Sequence, residues 1–276
     1  MGDPMAWAWL QAALLGLLQG ATEFIPVSSS GHLVLVPWLL GWAPPGLLFD
    51  SMVHWGTLAA LVACFWPELR EVAVGWLRGL WRREVRAPEA RLGWYLILGT
   101  VPGAVLGALL EDFFERLFAS PGAAAGLLLV TGTFLALAEW RGQGERAMRE
   151  VNALDALLVG LAQAAAIAPG ISRSGATIAA GMARGLRRAA AARFSFLLSI
   201  PIIFGAGVLQ LAGLPGLADA AHQVPLMAIG FTTAALSGYA VIRFLLRYLQ
   251  SRSLYPFALY CWALGLTALL VLALGL

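Results

Sequence analysis

The sequence predicts an all-α integral membrane protein with six transmembrane helices and two re-entrant helix–loop–helix hairpins, built as an inverted-topology repeat. Three observations lead there: an apolar composition, a set of long apolar stretches of which two are broken at serine-rich turns, and the likeness of those two breaks. Hydrophobic residues make up 60% of the 276 and charged residues 12%, with a mean hydropathy of +0.80. A soluble domain keeps about a quarter of its residues charged to wet its surface. The longest polar stretch, from about Pro67 to Leu92, is too short to hide a soluble domain. Met1 to Met5 carries only Asp3, so the basic start of a signal peptide is missing and the first apolar segment is expected to be retained. Cys64 and Cys261 sit in apolar runs without CxxC or metal-type spacing, and read as small buried hydrophobes.

A spanning helix needs about 20 mostly apolar residues. Six stretches qualify: Leu48–Trp66, Gly93–Leu110, Gly122–Trp140, Phe194–Leu214, Pro225–Leu246 and Pro256–Leu276. Met5 to Leu40 is too long for one span and is broken at Pro26-Val27-Ser28-Ser29-Ser30-Gly31. Leu154 to Met182 is broken at Pro169-Gly170-Ile171-Ser172-Arg173-Ser174-Gly175. Proline frees helix carbonyls, and hydroxyls with an arginine at membrane depth are tolerable only where they line a protein cavity. Both stretches therefore read as re-entrant hairpins.

The arginines test this topology. The chain has 18 arginines and no lysine, and 16 of them fall in four segments: Arg70–Arg91, Arg141–Arg149, Arg184–Arg193 and Arg243–Arg252. Six spans and two hairpins place those four on one side, as cytoplasmic loops require. Arg116 falls in an outer loop, the Leu211–Val224 loop has none, and Arg173 lies inside the second break.

Gly16–Gly31 (GLLQGATEFIPVSSSG) aligns with Gly160–Gly175 (GLAQAAAIAPGISRSG). Gln19/Gln163, Ser28/Ser172 and Ser30/Ser174 fall in register, which apolar richness alone does not supply. Phe49 and Phe194 open the following spans, and Gly99/Gly107 and Gly230/Gly238 recur at the same spacing. The chain then reads as a single membrane domain, 1–276, with repeat one about 1–141 and repeat two about 150–276. Each half has a hairpin and three spans, an odd number of crossings, so the second half is inverted. The two hairpin tips should meet.

The tips differ where chemistry would care. Glu23, Ser29 and His32 have Ile167, Arg173 and Ala176 as repeat partners. Gln19 and Glu23 share a helix face and could hold a divalent cation such as Mg2+ or Ca2+, or could hydrogen-bond between helices. Ser28, Ser29 and Ser30 precede a helix start, where serines cap and backbone amides bind anions. His32 beside them suits a base, acid or nucleophile. His54 and His222 lack such company and read as structural. Arg173 offers a planar fork for phosphate oxygens, flanked by the donors Ser172, Ser174 and Thr177, and could rest paired with Glu23.

Gln19–His32 (QGATEFIPVSSSGH) resembles the (E/Q)xxxE-plus-PxSSxGH signature of the bacterial undecaprenyl pyrophosphate phosphatases, the family linked to bacitracin resistance. Pro169–Thr177 (PGISRSGAT) resembles that family's second signature, PGxSRSxxT, and the length and motif spacing extend the resemblance over essentially the whole chain. It implies hydrolysis of undecaprenyl pyrophosphate to the monophosphate carrier lipid and phosphate. It also implies Gln19 and Glu23 as the acidic or metal-associated pair, Ser29 and His32 as the catalytic pair, and Arg173 with Ser172 and Thr177 as the phosphate clamp. Gln19 stands where the family accepts glutamate or glutamine, so a two-carboxylate metal site is in question. Ser29 is the favoured nucleophile, activated by His32 or Glu23, with His32 itself or water as the other choices. The expected partners are the lipid substrate and the bilayer, with a homodimer allowed and no nucleic acid. The expected location is the inner (plasma) membrane, with the site opening to the extracytoplasmic side. A polyprenyl-phosphate transporter or flippase on the same plan is the competing reading, because fold alone does not fix function.

Overall fold

The structure, a computed structural model, describes residues 4–44, 46–84, 87–142, 144–212 and 220–275. In chain order its helices are α1 (Pro4–Phe24), α2 (Ser29–Leu40), α3 (Leu47–Arg82), α4 (Pro88–Leu109), α5 (Glu111–Phe118) and α6 (Pro121–Trp140). A 3₁₀ turn (Met148–Glu150) leads to α7 (Ala153–Ala165), α8 (Arg173–Ala183), α9 (Arg188–Ala212), α10 (Ala220–Tyr248) and α11 (Tyr255–Leu274). Six of them, α3, α4, α6, α9, α10 and α11, are long and apolar enough to cross a membrane, as expected.

Two differences from the expected segments have physical causes. α3 runs 36 residues to Arg82, through the stretch expected as a polar loop. It accommodates Pro67 by bending: Phe65 leaves helical geometry at φ −108°, ψ 15°. Beyond the bend Val72 is buried and Trp76 meets Trp94 edge-on at 5.5 Å, so the extension has an apolar face to pack. The second difference is α5, an eight-residue amphipathic helix between α4 and α6, with none of its residues buried. Most of the arginine-free Leu211–Val224 loop lies outside the described residues.

Each serine-rich break separates two helices: α1 stops at Phe24 and α2 starts at Ser29, while α7 stops at Ala165 and α8 starts at Arg173. Arg173 is thus the first residue of a helix, not the middle of a loop. α1 lies along α10, α7 lies along α4, and α6 lies along α11. Gly16 faces the backbone of Gly230 at the first crossing, and Gly160 faces the backbone of Gly99 at the second. A Cβ at either position would overlap that backbone. Gly16/Gly160 and Gly99/Gly230 are the repeat-related glycines, so one contact is made twice. Close approach of small residues is how membrane helices associate where burial of apolar surface gives no drive.

The arginine-bearing segments gather at one end of the bundle. Arg146 and Arg184 both hold the buried Asp155, at 2.5 and 2.8 Å, closing the mouth of the α7–α8 hairpin. Arg188 pairs with Glu139 in two hydrogen bonds, and Glu139 also accepts from the Leu254 amide at 3.0 Å, tying α9 and α6 to the start of α11. Arg193 of α9 pairs with Glu68 of α3. The mouth of the α1–α2 hairpin is closed differently, by an edge-on contact of Trp7 with Trp42 at 5.9 Å.

Candidate active site

The two breaks meet. Ser28 caps α2 by accepting from Gly31 N at 3.2 Å, and the same hydroxyl oxygen accepts from Gly170 N of the other break at 3.1 Å. Ser28 takes φ 69°, a left-handed value costing about 1–3 kcal/mol for a residue with a Cβ. Bonds to both breaks hold it there. Thr131 on α6 fastens the second break: its hydroxyl donates to Gly170 O at 2.7 Å and accepts from Ser172 N at 3.0 Å. Ser172 caps α8 by accepting from Gly175 N at 3.0 Å. The first amides of α2 and α8 have no intrahelical acceptor, and two helix starts side by side form an anion-binding place.

Glu23 is the hub. Its Oε1 accepts from Arg173 Nη2 at 3.0 Å. Its Oε2 accepts from Gln19 Nε2 at 3.0 Å and from the Ser29 hydroxyl in a short hydrogen bond. A carboxylate from the first break, a serine beside it and a guanidinium from the second thus share one buried cluster. Two atoms there lack partners: Arg173 Nη1 and Gln19 Oε1 are buried without a hydrogen bond. Such orphans are rare in folded proteins and point to a missing ligand. Nη1 suits a phosphate oxygen. Gln19 Oε1 suits a hard cation, but the three donors on Glu23 leave little coordination to spare. Among the described residues no group of three His, Cys, Asp or Glu could hold a metal ion. The pair fits a cation that takes most of its oxygens from substrate phosphates and few from protein, as Mg2+ commonly does.

His32 lies apart from this cluster in its bonding. Its Nδ1 is 2.7 Å from Ser28 O, and its Nε2 is 2.7 Å from the Tyr260 hydroxyl of α11. Ser29 therefore meets Glu23, not His32. The hydroxyls expected around phosphate are mostly engaged with protein: Ser28 and Ser172 as caps, Ser174 donating to Ile25 O at 3.4 Å. Thr177 is buried, bonding Arg173 O at 2.7 Å and Ser195 at 2.6 Å. Ser30, half-buried, touches Ser28 at 3.3 Å. Arg173 Nη1 is left without a partner, and Ser30 bonds only Ser28 among these contacts.

Three residues of the site escape a reading of the sequence. Tyr260 and Thr131 give no signal, being single polar residues on apolar spans. His54, read as structural, places Nε2 3.9 Å from Glu23 Oε2, with Nδ1 2.7 Å from Asp50 O. Its one clue was an Asp50/His54 pair, one turn apart, in an apolar span. The His222 side chain lies outside the described residues.

Comparison with known proteins agrees over the length of the chain. The family model for the bacitracin resistance protein BacA matches residues 12–267. An undecaprenyl-diphosphatase of Thermomicrobium roseum is 45% identical over 271 residues, covering 95% of this chain and 98% of its own. One of Pelotomaculum thermopropionicum is 48% identical, covering 96% of each, and one of Moorella thermoacetica is 46% identical, covering 91% and 93%. With both signature segments inside the match and at one site, the chain belongs to the bacitracin resistance protein BacA family.

Proposed function

We propose that the protein is an undecaprenyl-diphosphatase, hydrolysing undecaprenyl pyrophosphate to undecaprenyl phosphate and phosphate, and so recycling the cell-wall carrier lipid. The observation that carries this is the single carboxylate of Glu23, which joins the Ser29 hydroxyl to Arg173 across the two breaks. Relatives bearing that enzyme name cover 91–96% of the chain at 45–48% identity.

In the chemistry this supports, the terminal phosphate displaces Glu23 from part of its hold on Arg173 and lies against Nη1 and the starts of α2 and α8. Ser29 Oγ attacks the terminal phosphorus as its proton passes to Glu23. The bond from that phosphorus to the bridging oxygen breaks, and undecaprenyl phosphate leaves. Water then attacks the seryl phosphate, Glu23 returns its proton to the departing Ser29 Oγ, and phosphate leaves carrying the water's protons. Catalysis of this kind depends on positioning and on fixed positive charge around the transferred group. Gln19 and Glu23 would hold a divalent cation, Mg2+ or Ca2+, whose part when bound is to neutralise pyrophosphate charge.

The reading includes the inverted repeat: two re-entrant hairpins entering from opposite faces of one membrane domain, 1–276. The doubled glycine crossing supports it. It also places the arginine-rich end in the cytoplasm of the bacterial inner membrane and the site's mouth on the opposite, extracytoplasmic face. A homodimer fits the reading, and a nucleic-acid partner is no part of it. The test is phosphate release from undecaprenyl pyrophosphate by detergent-solubilised protein, with and without chelator. Hydrolysis without a gradient supports the phosphatase and its loss on chelation supports the cation; transport without hydrolysis contradicts the reading.

A further inference from the structure

The buried His32 bonds the exposed Tyr260. The imidazole is 1% exposed, while Tyr260 is 46% exposed on α11. The two rings lie parallel, 2° apart, with centroids 5.6 Å apart. A carbonyl can only accept, so Nδ1 carries a proton toward Ser28 O in either charge state of the ring. Nε2 is left facing the Tyr260 hydroxyl at 2.7 Å. When His32 is neutral, the phenol donates its proton inward to Nε2. When His32 is protonated, Nε2–H donates to the phenol oxygen, and the phenol hydrogen is released to point outward. Among the described residues no other polar contact links α11 to the imidazole; the neighbouring Cys261 thiol lies 3.8 Å from Pro26 O, at the same break.

We propose that Tyr260 is the hydroxyl through which His32 acts: backed by the protonated imidazole, it donates a hydrogen bond to a phosphate oxygen of the bound pyrophosphate. This rests on the phosphatase reading for its substrate. It explains why His32 is not on Ser29. A lipid whose tail lies on the outer faces of the bundle would bring its phosphates past this position. The step makes and breaks no bond to phosphorus; it supplies one oriented donor.

Tyr260→Phe keeps the ring and removes only the hydroxyl. Two readouts on full-length protein in detergent test it. In kinetics with undecaprenyl pyrophosphate, Y260F should lower kcat about tenfold to a hundredfold, the range for one hydrogen bond to a charged group, with KM changed less than about threefold. In 15N spectra of histidine-labelled protein, only three histidines contribute, and the His32 signal is assigned by its loss in H32N. Y260F should move the His32 Nε2 resonance, and inorganic pyrophosphate should shift it in the wild type but not in Y260F. A wild-type kcat in Y260F, or an unmoved His32 signal, would overturn the proposal. If the wild type itself releases no phosphate, the phosphatase reading fails, while the pyrophosphate-induced shift still decides whether Tyr260 couples His32 to a phosphate.

Discussion

In the first break Ser28 caps α2; in the second Ser172 caps α8, with nearly the same distances to Gly31 N and Gly175 N. Ser30 and Ser174 touch those caps at 3.3 and 3.2 Å. The residues the breaks share thus do shared work, stopping and starting helices inside a membrane. The residues they do not share, Glu23, Ser29 and His32 against Ile167, Arg173 and Ala176, include Glu23 and its partners Ser29 and Arg173, while its third partner Gln19 matches Gln163. The anchoring differs too. The second break is fastened by Thr131 and locked at its mouth by Arg146, Asp155 and Arg184, whereas the mouth of the first is closed by an aromatic contact. The second break is built as a rigid support that presents a fixed cation, and the first carries the groups proposed to react. A repeat supplies two converging helix starts, and divergence at three positions turns them into one asymmetric site.

The largest effects should come from the unshared positions. Glu23→Gln removes the charge while keeping the shape, and should lower phosphate release by about a hundredfold to ten-thousandfold, the usual worth of a positioned base. Its folding should persist, because a neutral amide leaves no stranded carboxylate beside Arg173; thermal unfolding in detergent checks this. Arg173→Ala should lose activity similarly but also stability, about 3–5 kcal/mol, because the buried Glu23 would lose its arginine and keep only Gln19, Ser29 and His54 beside it. An R173A protein as stable as the wild type would show that those partners suffice.

The shared positions should act on stability instead. Thr131→Val strands Gly170 O and Ser172 N and should cost about 1–3 kcal/mol. Ser172→Ala removes a cap and should cost about 1 kcal/mol, with turnover of the folded fraction nearly unchanged. Ser28→Ala loses a cap and the bond to Gly170 together, so it should cost more than Ser172→Ala. Equal costs would mean that the cross-break bond contributes nothing. Alanine at Gly16 and at Gly160 should destabilise by comparable amounts, about 1–3 kcal/mol each, if the two crossings are equivalent.

Much of this was legible in the sequence, for a definite reason. In a bilayer every backbone group must be satisfied within the protein, so spans announce themselves as apolar runs and breaks as clusters of Pro, Gly and Ser. That made the six spans, both breaks and the cluster of Gln19, Glu23, Ser29 and Arg173 readable. α3 beyond Pro67 was not readable, because a proline and several charges look like a loop unless one knows that Val72 and Trp76 have something to pack on. Tyr260, Thr131 and His54 were not readable because their meaning lies in what stands opposite them on another helix. His32 was found by its motif, but its partner was not: the resemblance implied a pair with Ser29, whereas the helix start turns the imidazole toward Ser28 O and α11.

The most direct test of the central claim, that both breaks act on one phosphate, is the single-turnover rate of phosphate release in E23Q, R173A and the double variant. Groups that serve one transition state lose their effect together. The account predicts that the double variant is about as slow as the slower single one. Losses that multiply, or an R173A enzyme within about tenfold of the wild-type rate, would contradict it.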